Sequence, residues 1–171
     1  MTTAPKRERV TKHGPSYWLM KSEPDEFSID DLAKKGRGSW DGVRNYQARN
    51  HMCAMREGDV VLFYHSSTDP IGVVGLARVA REAYVDPTQF DPKSEYYDPK
   101  SKKDAPRWMM VDVEIVEKLP RIVTLAEIKA DPELADMLVT KKGMRLSVQP
   151  VEAAHALRIA KKAGAKTRLS S

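Results

Sequence analysis

Apolar residues occur along this chain in short runs, a pattern that predicts several strands with small helices between them. Residues 17–21 are aromatic and apolar and end before Pro24, while two longer apolar runs cover Val60–His65 and residues 71–80. Turn-forming residues at 66–70 separate the two longer runs, so we expect a hairpin there. We expect both of these strands to lie in the core.

Three further segments have the character of strands. Residues 108–119 alternate between two faces, with Met109 and Val111 on one face and Met110 and Asp112 on the other. Residues 39–41 and 145–149 are shorter candidates. The chain therefore offers five or six strands.

Capping residues indicate where the helices begin. Ser28 with Asp31, and Thr124 with Glu127, have the spacing of capping boxes. Asn45 is a typical N-cap residue. From these signals and the apolar positions that follow them, we predict four short helices, over residues 29–35, 46–56, 125–130 and 151–162.

Residues 81–107 interrupt this order of short elements with a long, charged stretch that contains four prolines. A long excursion inside a compact domain is more often a binding loop than a structureless segment. Four aromatic residues give it a way to dock against the domain, namely Tyr84, Phe90, Tyr96 and Tyr97.

The length of 171 residues fits one domain with a sizeable core. Short strands with small helices among them predict an α+β domain built on a small β-barrel. Hydrophobic residues make up 41% and charged residues 31% of the chain, a balance typical of a soluble globular protein.

Several classes of protein are excluded by simple features of the chain. Its apolar runs are far shorter than the ~20 residues that a membrane-spanning helix needs, and residues 1–14 lack the apolar core of a secretory signal. We therefore expect a protein that is not secreted and has no membrane partner, cytoplasmic in a bacterium or nuclear in a eukaryote. The single cysteine, Cys53, and four scattered histidines give no disulfide and no metal-ligand spacing, so we expect no metal and no cofactor.

The net charge of +5 is distributed unevenly. Residues 1–14 and 158–171 hold nine basic side chains and one acidic one, which leaves a net negative charge on the rest. We predict flexible basic tails at residues 1–14 and 163–171 around a domain of residues 15–162, with the tails holding polyanions without sequence specificity. Within the domain, one stretch is basic, and it contains Lys34, Lys35, Arg37, Arg44, Arg49 and Arg56 against the single acid Asp41.

Three segments place polar and aromatic residues at the ends of predicted elements. Lys21, Ser22 and Glu23 leave the first strand as a cation, a hydroxyl and a carboxylate, although a charged strand end in water is an equally ordinary interpretation. Trp40 lies within the basic stretch, which suits phosphates and a stacked base, but it also suits a core position. His65, at another strand end, could form hydrogen bonds near neutral pH or serve only the structure.

Six segments in order resemble the EVE domain family, close to the thymocyte nuclear protein group, over residues 16–160. They are WLMKSEP (18–24), WDGVRNYQARN (40–50), FYHS (63–66), GVVG (72–75), WMMVDV (108–113) and LSVQP (146–150). The resemblance implies a PUA-like fold related to the YTH and ASCH domains. It also implies recognition of a modified base rather than catalysis, with 5-methyl- or 5-hydroxymethylcytosine in DNA as candidates and N6-methyladenine in RNA as the ligand of YTH relatives.

The resemblance also implies roles for particular residues. Ser22 matches the site strand of YTH-like readers, Trp40 a wall of their aromatic pocket, and His65 the loop that closes it. Where those readers carry an asparagine, this chain has Glu23, whose carboxylate would accept a hydrogen bond from cytosine N4. The expected base-binding residues are Lys21, Ser22, Glu23, Trp40, Val43, Arg44, Asn45, Tyr46, His65 and Ser66, and the expected phosphate contacts are Lys34, Lys35, Arg37 and Arg49.

The sequence therefore predicts a reader of a modified base in DNA or RNA, without catalysis. Two other classes stay open. One is a small enzyme acting on a nucleoside or nucleotide, with Glu23 or His65 as acid or base, and the other is a protein-interaction module that uses residues 81–107. A changed oligonucleotide would indicate the enzyme, and indifference to every oligonucleotide would indicate the interaction module.

Overall fold

A computed structural model of the protein describes residues 14–170. Six strands are present: β1 (Tyr17–Ser22), β2 (Arg37–Trp40), β3 (Val60–His65), β4 (Gly72–Val85), β5 (Met109–Thr124) and β6 (Val148–Val151). Four α-helices accompany them: α1 (Ile29–Lys35), α2 (Tyr46–Ala54), α3 (Leu125–Ala130) and α4 (Ala153–Lys162). Two short 3-10 turns cover Pro87–Phe90 and Leu138–Thr140.

The six strands form one mixed sheet in the order β2-β5-β4-β3-β1-β6. β1 and β3 are parallel, whereas β4 pairs antiparallel with both β3 and β5. The antiparallel pairing of β3 with β4 is the predicted hairpin. Within residues 14–170, β2 and β6 stay at opposite edges, so the sheet curls without closing into a full barrel. The expected α+β fold of PUA-like type, with six strands and several short helices, is confirmed.

Side chains on the two faces of the sheet form two separate core clusters. Along β1, Trp18 and Met20 belong to the first cluster, while Tyr17 and Leu19 belong to the second. Both faces of this strand are therefore buried, which explains its unbroken apolar run. Helices α1 and α2 contribute to the first cluster, and α3 and α4 to the second.

The helix starts agree with the capping residues in the sequence. Ser28 and Thr124 form complete capping boxes with Asp31 and Glu127, and the Asn45 side chain accepts a hydrogen bond from the Ala48 N–H. α2 ends at Ala54, two residues before the predicted end. Each side-chain cap satisfies N–H groups that have no partner within the helix.

Strands β4 and β5 are longer than the pattern predicts. β4 runs on to Val85 and β5 to Thr124, and their pairing register shifts at several points. Most of the added residues are exposed or half-buried, although Val123 is fully buried in the second core cluster. The backbone pairing of the two strands therefore extends beyond the apolar runs seen in the sequence. The excursion between them is therefore residues 86–108.

The C-terminal segment, residues 163–170, packs against the domain. Ala163 is buried, and Leu169 packs against the second core cluster. The Glu117 carboxylate accepts hydrogen bonds from the backbone N–H groups of Lys166 and Thr167, and the Tyr17 hydroxyl donates to the carbonyl of Ser170. The other predicted tail, residues 1–14, lies almost wholly outside the described residues.

No helix among residues 14–170 has the length and apolar character needed to cross a membrane.

Candidate functional site

The carboxyl ends of β1 and β3 lie side by side because these strands are parallel. Ser22 is the register partner of His65, and the Ser66 N–H donates to the Ser22 carbonyl at 3.0 Å. The Ser22 hydroxyl donates to the carbonyl of Phe27 at 2.7 Å. The Ile29 N–H, at the start of α1, donates to Nε2 of His65 at 3.1 Å. Ser22, His65 and Ser66 are thus brought together.

An aromatic cluster lies on the same face of the sheet. The Trp40 ring is 5.1 Å from the Phe63 ring and 5.8 Å from the Phe27 ring, both edge-on, and His65 lies 5.7 Å from Phe63. Trp40 is only 6% exposed, and Phe27 is half-buried. Trp40 is therefore a core residue in this structure, with Phe27 as the ring of the cluster nearer to solvent.

Glu23 and Lys21 diverge from each other beyond this shared strand end. The Glu23 backbone carbonyl accepts hydrogen bonds from the Glu26 and Phe27 N–H groups, and its side chain is exposed. The Lys21 ammonium points to the opposite face, where it donates to the Met144 carbonyl at 3.1 Å. Burial lowers the pKa of Lys21. The Lys21 ammonium is therefore on the opposite side of the sheet from the Ser22 and Trp40 side chains.

The Arg44 guanidinium donates its hydrogen bonds mainly to residues of the excursion, so it has none left for a ligand. Its Nε and Nη2 donate to the Tyr96 carbonyl, its Nη1 to the Val43 carbonyl and the Asp86 carboxylate, and its Nη2 also to the Thr88 hydroxyl. A guanidinium has five N–H groups, and all five are used here. Arg44 therefore fastens the segment after β2 to the start of the excursion.

Asp86 is the buried partner in this contact. Its side chain also accepts hydrogen bonds from the Gly42 N–H at 2.9 Å and the Thr88 N–H at 2.8 Å. Burial alone would raise the pKa of Asp86, but the hydrogen bonds from Thr88, Gly42 and Arg44 outweigh it and lower the pKa. Asp86 therefore stays ionised and keeps the Arg44 guanidinium in place.

Tyr96 is a residue at the site that sequence reasoning identified only as a loop aromatic. Its ring lies over Gly42, where a Cβ would come within 2.7 Å of it, and its hydroxyl donates to Glu26 at 2.8 Å. Gly42 has φ +78°, so a side chain there would be strained as well as crowded. Burial and the Glu26 carboxylate raise the pKa of Tyr96, so its hydroxyl remains a donor. In the sequence, only Gly42, two residues after Trp40, signals this contact.

The remaining predicted base-binding residues have structural contacts of their own. Val43 is buried in the first core cluster, and Asn45 caps α2. The Tyr46 ring is half-exposed and stacks on Trp108 with 4.8 Å between ring centres. Tyr46 therefore lies on the surface, on the excursion side of the site.

The predicted phosphate contacts are split between two regions. Lys34, Lys35 and Arg37 lie at the end of β2 away from Trp40, where Arg37 pairs with Asp112 at 3.2 Å. Arg49 is on α2, with its guanidinium 4.7 Å from the Tyr46 ring. The basic stretch in the sequence is therefore not one continuous patch.

The site offers hydrogen-bond groups and aromatic surface rather than a ligand set for a metal. Within the described residues 14–170, no group of three or more His, Cys, Asp or Glu side chains is placed to hold an ion. Nε2 of His65 is occupied by the backbone donor of Ile29, and burial lowers the pKa of this imidazole. His65 is thus neutral near pH 7 and supports the start of α1.

The sequence profile of the EVE domain matches residues 16–162. The chain belongs to the EVE domain family. Its EVE domain is 42% identical over 159 residues to human thymocyte nuclear protein 1, with 82% of this chain and 70% of the relative covered. The zebrafish protein of the same name is 46% identical over 160 residues, covering 81% and 69%.

Solved structures agree with this EVE fold. A hypothetical protein from Leishmania major is 53% identical with a TM-score of 0.83, covering 88% of this chain and 95% of the other. The human THYN1 protein in complex with DNA containing 5-methylcytosine is 39% identical with a TM-score of 0.82, covering 89% and 99%. A Zygosaccharomyces rouxii YTH domain bound to N6-methyladenosine RNA, at 14% identity and TM-score 0.52, shares the fold.

Proposed function

We propose that this EVE domain binds nucleic acid by recognising a modified base, 5-methyl- or 5-hydroxymethylcytosine in DNA, and that it does not change the base chemically. The observation that carries the proposal is the likeness to human THYN1 in complex with 5-methylcytosine DNA, which spans 89% of this chain. A reader of this kind works wherever the nucleic acid is, in the bacterial cytoplasm or the eukaryotic nucleus.

The base is proposed to enter where the ends of β1, β2 and β3 converge. Ser22, Phe27, Trp40 and His65 meet there on one face of the sheet. The half-buried Phe27 supplies aromatic surface for a base, with the buried Trp40 ring packed edge-on against it, and the exposed Glu23 carboxylate supplies an acceptor at the rim. A carboxylate can accept from the exocyclic amine of cytosine, whereas thymine has no amine at that position.

The energetics require contacts beyond the base itself. Extracting a base from a duplex costs a few kcal/mol, and stacking on one aromatic ring returns about 1–3 kcal/mol. A buried methyl group adds only ~0.8 kcal/mol. Phosphate contacts must therefore supply most of the affinity, and the pocket supplies the preference.

The proposal of binding without catalysis rests on how the acid and base candidates are used. Nε2 of His65 is engaged with the Ile29 N–H, and Glu23 stands exposed at the turn after β1. Among residues 14–170, the hydrogen bonds of His65 include none to a Ser, Cys or Glu side chain that would act with it.

Equilibrium binding to matched oligonucleotides tests the function. The full chain is titrated with a fluorescent duplex carrying one central cytosine, 5-methylcytosine, 5-hydroxymethylcytosine or thymine, at fixed salt. We expect tighter binding to one of the modified cytosines, by about fivefold, because a buried methyl group contributes about 1 kcal/mol. Mass analysis of the recovered strands should show no change.

Glu23→Gln and Glu133→Gln are a matched pair for the same assay, since both residues are exposed and Glu133 lies beside α4. We expect Glu23→Gln to narrow the difference between cytosine and thymine duplexes, and Glu133→Gln to leave it unchanged. Equal binding to all four duplexes by the parent chain would overturn the proposed function, and a chemically altered strand would indicate an enzyme.

A further inference from the structure

We propose that a second surface, beside the base site, contacts the nucleic acid that flanks the recognised base, with its cations on backbone phosphates and its exposed aromatic ring on a neighbouring base. It consists of the first turns of α2 and residues 98–107 of the excursion, and we name it the Tyr46 surface. Its members are Tyr46, Arg49, Lys100, Lys102, Lys103 and Arg107. The inference rests on the proposed function and names the part of the partner that this surface binds.

A stack of planar groups forms the centre of the Tyr46 surface. The rings of Tyr46 and Trp108 are nearly parallel, at 27° with centres 4.8 Å apart. The Arg49 guanidinium lies 4.7 Å from the Tyr46 ring centre. Tyr46 keeps 50% of its surface exposed, although Trp108 beneath it is buried. An exposed aromatic ring with an adjoining guanidinium is a typical platform for nucleic acid.

Arg49 retains donors for a phosphate. Its Nη1 donates to the Arg107 carbonyl at 2.9 Å, and its Nε and Nη2 donate to the Asn50 side chain. Two of its five N–H groups have no acceptor among residues 14–170. Arg44, five residues earlier, has used all of its own. A guanidinium held in place with two open donors matches the geometry of a phosphate.

The cationic part of the excursion is held in place by a buried amide. Gln89 is fully buried, and its Nε2 donates to the carbonyls of Asp86 and Trp108 at 2.6 and 2.8 Å. Its Oε1 accepts from the Arg107 and Trp108 N–H groups and from the Ser101 hydroxyl. These bonds fix residues 101 and 107–108 against the start of the excursion.

Three exposed lysines project from the turn that Gln89 holds. The turn runs from Asp98 to Arg107 and contains Lys100, Lys102 and Lys103. The Asp98 carboxylate already accepts hydrogen bonds from the Trp108 indole N–H and the Lys100 backbone N–H. The ion pairs formed within residues 14–170 include none to these three lysines. Asp104 is the one exposed acid in the turn. The turn therefore presents an excess of uncompensated positive charge.

The Tyr46 surface is joined to the base site through the excursion. Tyr96, from the same segment, lies over Gly42 and bonds to Glu26 in the turn after β1. Arg44 ties that segment to Val43, three residues after Trp40. A strand whose base enters beside Trp40 would therefore meet the lysines of the turn and the guanidinium of Arg49 with its neighbouring phosphates.

Salt titrations of binding test this inference with a triple variant. Lys100→Gln, Lys102→Gln and Lys103→Gln together should weaken binding to modified and unmodified duplexes by the same factor, leaving their ratio unchanged. The slope of log K against log salt should become shallower by about 2 to 3, because each lost phosphate contact is worth about 0.9 for duplex DNA.

A second triple variant provides the matched control. Lys129→Gln, Lys142→Gln and Lys161→Gln remove the same charge from exposed positions on α3, the loop before β6 and α4. We expect this variant to keep the parent slope. Equal slopes for both triple variants would overturn the inference and leave the lysine turn as a surface for some other partner.

Tyr46→Ala tests the stack independently of net charge. We expect a loss of about fivefold or more for both duplexes, because a base-aromatic contact contributes at least about 1 kcal/mol. Parent-like affinity for Tyr46→Ala would contradict a role for the stack. Failure of the proposed function is distinguishable from failure of this inference. If only the proposed function fails, the parent chain shows no preference for the modified duplex, but the lysine variant still binds both duplexes more weakly than the parent.

Discussion

Arg44 and Arg49 show how two like residues only five positions apart serve different purposes. Arg44 is largely enclosed and has an acceptor for every N–H group, so it organises the chain around it. Arg49 lies at the surface of α2, and two of its five N–H groups have no acceptor among residues 14–170. A basic stretch in a sequence therefore mixes structural cations with binding ones, and hydrogen-bond partners distinguish them.

Trp40 is the residue at which a binding role and a structural role compete. Because it is 6% exposed between Phe27 and Phe63, we expect Trp40→Ala to lower the free energy of unfolding by about 3–5 kcal/mol, the cost of truncating a core aromatic. Thermal unfolding measures this change. Trp40→Phe retains an apolar ring and should lose less stability, so its binding to modified oligonucleotides can be measured. A Trp40→Ala protein that melts like the parent would contradict the core assignment.

His65 gives the base site a dependence on pH. Burial lowers its pKa below the ordinary 6.5, with nearby Asp30 acting in the opposite direction and Lys118 in the same one. Nε2 must be unprotonated to accept from the Ile29 N–H, so this contact stabilises the fold above about pH 6.5 and is lost as the pH falls through the lowered pKa. We expect the melting temperature to fall between pH 7.5 and 5.

His65→Gln isolates this contribution, because its amide oxygen can accept a hydrogen bond but does not titrate. Burial also lowers the pKa of His51, and that second contribution is common to parent and variant. The variant should therefore show a smaller drop in melting temperature than the parent. An identical drop in both proteins would show that His65 does not titrate in this range.

At the scale of elements, the starts of the helices are the part of the fold that local chemistry determines. Ser28, Asn45 and Thr124 cap helices as predicted, since a side-chain acceptor three residues before an N–H is a local arrangement. The parallel pairing of β1 with β3, which brings Ser22 to His65, is long-range and carries no local signal. The family resemblance, rather than periodicity, supplied that part of the site.

The excursion was the element least accessible to sequence reasoning. Its order comes from Gln89, Asp86 and Arg44, each of which bonds to residues distant in the chain. Turn-forming and charged residues look the same in a solvated loop and in one held by buried polar contacts. Only Gly42, under the ring of Tyr96, left a trace in the sequence.

Arg44→Lys tests how the excursion is fastened. An ammonium has three donors and cannot replace the five hydrogen bonds of Arg44, which leaves the buried Asp86 carboxylate poorly compensated. We expect a loss of about 3 kcal/mol in the free energy of unfolding, seen as a fall of roughly 6–12 °C in melting temperature. Arg49→Lys, on the exposed side of α2, should lose less than about 1 kcal/mol. Similar losses in the two variants would contradict the distinction between these arginines.

For the whole molecule, the C-terminal segment belongs to the folded unit. A chain ending at Lys162 would lose the burial of Ala163 and Leu169 and the two backbone donors to Glu117. We expect a loss of about 2 kcal/mol, since burying one leucine contributes about 1.5–3 kcal/mol, and a melting temperature lower by roughly 4–8 °C.

A charge variant separates packing from electrostatics in that segment. Lys166→Gln with Arg168→Gln keeps the backbone bonds to Glu117 and removes two positive charges. We expect its melting temperature to equal that of the parent. The salt dependence of its binding to oligonucleotides then shows whether these two cations contact phosphates. A truncated chain as stable as the parent would show that the segment is only an appendage.

Among residues 14–170, basic side chains lie in separate regions around one proposed site. Lys34, Lys35 and Arg37 lie beyond the far end of β2, Arg49 and the lysine turn lie on the Tyr46 surface, and the C-terminal cations lie over the second core cluster. In the proposed arrangement, a base bound beside Trp40 has its flanking phosphates on the Tyr46 surface. Affinity and preference for the modified base should therefore be separable.

Amide chemical-shift mapping tests the central claim most directly. The labelled chain is titrated with two oligonucleotides that differ only by one methyl group on a cytosine. We predict that the chemical shifts that differ between the two oligonucleotides belong to residues 22–27, 40–43 and 65–66. The shifts that both oligonucleotides cause should belong to the Tyr46 surface. Methyl-dependent shifts elsewhere, such as the open groove beside α4 lined by Glu133, His155 and Arg158, would contradict the account, as would two identical sets of shifts.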